Sequence, residues 1–243
     1  MNYATLLEKV KEHMLHFFSI HEATPLLFHN SQHTQSVVSH AGEIARHYQL
    51  NDRDFFIVTA AAWFHDAGYY LNGGTQHEMA GANMSAEFLK QLGVDDATIL
   101  EVQNCIIATI MPQKPANLLE EIICDADLYH LGTSDFDKMN KLMRKEASMR
   151  RGIKIPKPVW RLGTITLLEN HEYKTEYARK MLDETKKLNL EFQKNKTEDD
   201  KEEQEAEKTR IGDVIGLERH DHVVGGIHPP LARPHGRLVD GLR

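Results

Sequence analysis

Ala60-Ala61-Ala62-Trp63-Phe64-His65-Asp66-Ala67-Gly68 is the stretch whose reading decides the fold. It reads as the end of a buried helix: small and aromatic apolar residues run up to an adjacent imidazole and carboxylate, and Gly68 stops the turn. Two ionisable groups at the end of so apolar a segment are costly unless something pairs with them. A metal ion does so, because it takes both neutral imidazole and carboxylate as ligands. His220-Asp221 serves as an internal control, since the same dipeptide recurs beside His222, Gly225, Gly226 and two prolines, where no core is expected. Context separates the two copies.

Outward from this stretch the apolar residues keep helical spacing. Leu6, Leu7, Val10, Met14, Phe17 and Phe18 predict a helix over 2–20. Asn30 or Ser31 caps a second helix carrying Val37, Val38, Ala41, Ile44 and Ala45, with His33 in its first turn and His29 just outside. Asp52 caps the helix that leads to His65-Asp66. Residues 69–75 read as a flexible loop, after which Gln76-His77-Glu78 leads into a helix ending near Gly93. Asp95 starts the next. In the helix read over 118–130, Asp125-Ala126-Asp127 follows Ile122-Ile123-Cys124, a second place where carboxylates enter an apolar helix. A basic helix over 136–151 is broken by Pro156-Lys157-Pro158, and two more helices follow over 159–170 and from 175 to about 193. No strand pattern of useful length appears, so the fold class is all-α. Trp63 and Trp160 are assigned to the core.

The 243 residues suffice for one large helical domain and a tail, or for two small domains. The expected organisation is a helical domain over 1–193, a charged linker or helix extension over 194–210, and a disordered tail over 211–243 that lacks a periodic apolar face. A net charge of −7 and a pI near 6.1 argue against nucleic acid as the main partner. Cys105 and Cys124 build neither a disulfide framework nor a zinc ribbon. The first ten residues have no signal-peptide core, and the longest apolar run, 55–64, is too short to cross a bilayer. A cytoplasmic chain without a membrane segment is therefore expected.

The polar groups set into apolar helices are His33, His65, Asp66 and Asp127. Two imidazoles and two carboxylates leave room for water on a six-coordinate ion, which suits Mn²⁺, Fe²⁺, Co²⁺, Ni²⁺ or Mg²⁺ better than a closed structural zinc.

In order and approximate spacing these four residues resemble the H…HD…D signature of the HD-domain phosphohydrolase superfamily. Phe28-His29-Asn30-Ser31-Gln32-His33-Thr34 is similar to the Y-H-N-x-x-H segment of the class I cyclic-nucleotide phosphodiesterases and related bacterial proteins. Asp125-Ala126-Asp127-Leu128 looks like the last metal-bearing helix of that family. The resemblance covers about residues 15–190. Leu168-Glu169-Asn170-His171-Glu172-Tyr173-Lys174-Thr175 and Tyr177-Ala178 are similar to one bacterial subgroup, in which the HD module is sometimes followed by a membrane-spanning effector domain of Pycsar anti-phage signalling.

The resemblance implies an HD-domain-like helical bundle that cleaves a phosphomonoester or phosphodiester with a metal-activated water. The implied substrate is a small phosphoester, a nucleotide or cyclic nucleotide. His29 matches the position that protonates the leaving alkoxide, and Asp66, bound to the ion, can take the water's proton. Families with two metals place extra histidines between the HD pair and the final Asp. This chain has His77 there and Thr109 where another would be expected, so one divalent ion is predicted. His77 or Glu78 would position water or substrate, or complete a weak second site. Arg144, Lys145, Arg150 and Arg151 read either as a phosphate contact or as a solvated charged face. An alternative from another class is a nucleotide-sensing module with little turnover, which the charged segment before the tail would link to a partner domain.

Overall fold

Every residue from Phe56 to Phe64 is buried, so helix α3 (Asp52–Phe64) is enclosed on all sides beyond its first turn. A helix with no polar face belongs at the centre of a domain. In the computed structural model, which describes residues 2–197, α3 packs against α1 (Tyr3–Ile20), α2 (Ser31–His47), α5 (His77–Gln91), α6 (Asp96–Ala108) and α7 (Leu118–Asp127). Phe64, Ile106, Ile122, Ile44 and Val10 meet in this core. The described residues contain no strand, and the fold is all-α. No helix among them is long and apolar enough to cross a membrane.

Side-chain caps start most of these helices. Asn2, Asn30, Asn51, Asp95 and Asn117 each accept a hydrogen bond from a first-turn amide. The cap of α3 is thus Asn51 and not Asp52. Asp52 becomes a first-turn acid, where the helix dipole favours negative charge.

Gly68 does not stop the turn after His65-Asp66. It opens a short helix, α4 (Gly68–Asn72), and the reversal falls to Gly73 and Gly74, with φ of +67° and +89°. The predicted loop over 69–75 is therefore half helix. Gly68 is required for another reason: a Cβ there would lie 2.3 Å from the carbonyl oxygen of His77, so only glycine lets α4 approach the start of α5 this closely.

The helix read over 118–130 is two elements, because α7 ends at Asp127 and a 3₁₀ turn, Tyr129–Gly132, follows. Beyond it lie α8 (Phe136–Arg150), α9 (Lys157–Asn170, with Pro158 tolerated in its first turn) and α10 (176–197). The boundary placed at 193 falls inside α10, which continues to 197. The rest of the charged segment and the whole of 211–243 lie outside the described residues. Asp125 fixes the start of α10: its buried carboxylate accepts from the Lys174 and Thr175 amides and the Thr175 hydroxyl, each at 2.7 Å. Thr175 Oγ1 in turn accepts from the Ala178 amide at 3.1 Å. Phe136 packs α8 on Leu131 and Leu168. Trp63 is core as expected, but Trp160 is only half-buried and donates its indole N–H to Asn140 Oδ1 at 2.7 Å.

Candidate metal centre

Three helices bring four side chains to one point. Asn30 Oδ1 accepts from the Gln32 and His33 amides, which fixes the first turn of α2 and with it His33. The apolar α3 ends on His65-Asp66, and α7 ends on Asp127. His33 Nε2 lies 3.3 Å from Asp66 Oδ2 and 3.6 Å from Asp127 Oδ1. His65 Nε2 lies 3.2 Å and 3.5 Å from the same two oxygens. Two ligands of one ion, each bound at about 2.0–2.2 Å, sit about 3.0–3.4 Å apart, so these separations fit a shared cation.

The donor chemistry fits as well. His33 Nε2, His65 Nε2 and Asp66 Oδ2 are buried without a hydrogen-bond partner, which in a protein interior calls for an explanation such as an ion. His65 Nδ1 sits 2.8 Å from the Ala62 carbonyl oxygen. A carbonyl only accepts, so Nδ1 carries the proton and the Nε2 lone pair of the neutral ring faces the cluster. His33, His65 and Asp127 form a group with the geometry to hold a metal, and Asp66 Oδ2 faces both imidazoles.

The electrostatics call for positive charge at this point. Burial opposes charge on all four groups, yet the two carboxylates raise His33 and raise His65 strongly. Burial likewise works against ionised Asp66 and Asp127, and the imidazoles overcome it and lower both. Two buried carboxylates demand positive charge beside them, and a divalent ion supplies it while leaving both imidazoles neutral.

Residues 30–132 match the family model of the HD domain, running from the cap of α2 to the end of the 3₁₀ turn. The chain carries an HD domain. His33, His65, Asp66 and Asp127 all fall inside it, and HD domains bind divalent metals. The crystal structure of a predicted HD superfamily hydrolase from an uncultured Thermotogales bacterium shares the fold, with a TM-score of 0.51 and 23% identity. The match covers 80% of this chain and 97% of that one. No curated protein matches the chain.

Asp66 and Asp127 of the candidate centre line a cavity of about 300 Å³. His29 lines it, with its ring stacked on Tyr69 at 3.8 Å and Nδ1 lying 2.5 Å from Glu146 Oε1. Glu146 Oε2 accepts from the Phe28 and His29 amides at 2.7 and 3.1 Å. Burial disfavours the Glu146 charge, but the His29 imidazole and these amides hold its carboxyl below the usual range. His77 and Glu78 stand one step outside the cluster: His77 Nε2 is 3.5 Å from Asp66 Oδ1 and 3.3 Å from Glu78 Oε1. Thr109 also lines the cavity.

The basic residues of α8 divide. Arg150 and Arg151 border the cavity, and the Arg150 guanidinium lies 4.9 Å from the centre of the Tyr69 ring. Arg144 is spent on the Ile155 carbonyl at 2.9 Å, and Lys145 is exposed. His130 is a neighbour with an unpartnered Nε2, and burial pushes its imidazole down to about 4. Sequence reasoning missed Glu146 and Tyr69. Glu146 did leave one trace, since it is the acid on the α8 face that also carries Phe136, Asn140 and Met143.

Proposed function

We propose that the HD domain is a metal-dependent phosphohydrolase acting on a small phosphoester, a nucleotide or cyclic nucleotide. The observation that carries this reading is the convergence of His33, His65, Asp66 and Asp127 with three unpartnered buried donor atoms. In this reading they hold one divalent ion, Mn²⁺, Fe²⁺, Co²⁺, Ni²⁺ or Mg²⁺. When bound, such an ion lowers the pKa of a water and makes a phosphoryl group more electrophilic.

The chain's own groups do the rest. Asp66 Oδ1 points away from the two ligand imidazoles, towards His77, and is the oxygen that takes the proton of the attacking water. His29 has Nδ1 committed to Glu146, so Nε2 is the atom that protonates the leaving alkoxide. Glu146 acts through His29 as a positioning residue. Arg150 and Arg151 balance the phosphate charge, and His77 with Glu78 positions water or substrate. A cytoplasmic setting belongs to the same proposal.

Metal analysis of the purified protein, followed by a panel of linear and cyclic nucleotides, tests the reading. Metal-dependent product release that is lost in Asp66→Ala supports it. Release that survives this substitution overturns the mechanism, and tight nucleotide binding without product favours a sensor.

A further inference from the structure

A second cavity, of about 280 Å³, lies between α8, α9 and the 3₁₀ turn. His130, Met143, Arg151, Trp160 and Leu167 border both this space and the metal-side cavity. The two cavities therefore adjoin, and their linings differ in chemistry. Each alone is at the lower limit of the roughly 300–1,000 Å³ that small-molecule pockets occupy, and joined they lie inside that range.

The second space is walled by Leu131, Phe136, Ile155 and Val159, with Asn140 as its amide. Asn140 Oδ1 accepts from Trp160 Nε1 at 2.7 Å and from Thr164 Oγ1 at 3.2 Å. An indole N–H only donates, so this contact fixes the orientation of the amide, and Nδ2 is the atom left to donate. Gly163 also borders the space, and a Cβ built there meets nothing within 4 Å. An apolar chamber with an indole on its wall and an amide N–H₂ at its edge suits a flat ring that carries a hydrogen-bond acceptor. An alkyl group would fill the same volume and leave the amide unmatched, which a site built on hydrogen bonds penalises.

We infer that this annex receives the heteroaromatic ring of the phosphoester whose phosphoryl group lies at the metal centre. The ring packs against Trp160 and accepts from Asn140 Nδ2. Arg151, which borders both spaces, stands beside the link between ring and phosphate. The inference rests on the phosphohydrolase reading of the adjoining cavity and extends it to substrate choice.

Gly163→Phe tests it, because the new side chain starts in open space on a helix where glycine is itself unfavourable, and Gly163→Ala controls for the backbone. The readout is the ratio of kcat/KM between nucleoside monophosphates and glycerol phosphate on the metal-loaded protein. We expect the wild type to favour the nucleotides by about a hundredfold and Gly163→Phe to cut that ratio by about tenfold, mainly through KM. A wild type that treats the two esters equally, or a ratio unmoved by Gly163→Phe, overturns the annex. Trp160 emission supplies a readout independent of turnover. If no ester is cleaved, the hydrolase reading fails; quenching by a nucleoside that Gly163→Phe abolishes would still support the annex, and no quenching would overturn it.

Discussion

Nδ1 of His29 lies 2.5 Å from Oε1 of Glu146, although 117 positions separate them in the chain. The same carboxylate holds the amides of Phe28 and His29, so one buried acid ties the segment before α2 to helix α8. Both residues stand outside the 30–132 match of the HD domain. The four candidate metal ligands thus fall inside the matched domain, whereas the candidate proton donor is set by a helix beyond it.

Glu146→Gln keeps the shape of this contact and removes the charge. Turnover is expected to fall about 10–100-fold with metal content unchanged, the usual size of losing an orienting carboxylate. Steady-state kinetics beside metal analysis decides it. Full activity in the variant would show that His29 needs no anionic partner.

Asp125 and Asp127 are two residues apart on α7 and do different work. Asp127→Asn should abolish metal retention and activity. Asp125→Asn should retain the ion but lose about 2 kcal/mol, since an amide cannot accept all three hydrogen bonds, lowering Tm by about 4–8 °C. Stripping the wild type with a chelator should also lower Tm, because a ligand present at a hundred times its Kd stabilises by about 2.7 kcal/mol. An unchanged melting curve after stripping would argue against a resident ion.

Gly68→Ala places a methyl group 2.3 Å from the His77 carbonyl oxygen, and the backbone of α4 or α5 must shift. Overpacking of this kind costs about 1–3 kcal/mol. The shift also moves His77 relative to Asp66, so kcat should fall together with Tm. Thermal denaturation and kinetics on the same preparation test the pairing of the two effects.

His171 is buried with neither ring nitrogen partnered, and burial together with the Lys186 and Lys174 charges pushes its imidazole down to about 3. The unfolded chain takes up this proton near the ordinary value of 6.5, and the folded chain does not. The contribution is therefore fully present above pH 6.5 and is lost as pH falls towards 3, at up to about 1.4 kcal/mol per pH unit. Urea unfolding across this range should show a shallower acid loss in His171→Gln. An identical slope would assign the acid sensitivity to other groups.

Much of the architecture is local and was legible. The period of Leu6, Val10, Met14 and Phe17 marks α1, and Asn30 before His33 marks the start of α2, because capping and amphipathicity act within a turn or two. Gly68 was misread because a glycine near a helix end has two explanations, a turn or a close approach, and only the position of His77 separates them. Trp160 was misassigned because an indole suits a core and a cavity wall equally.

What the chain order alone determined is an all-α fold and four residues, His33, His65, Asp66 and Asp127, that are candidates to share a cation: an imidazole or carboxylate ending an apolar helix is costly wherever the helices lie. What only the tertiary structure decided is everything that faces those residues. Glu146, Tyr69 and Arg150, and the annex between α8 and α9, come from helices whose own periodicity records only that one side is buried. Which partner that side meets depends on packing between distant segments, and no local pattern encodes it.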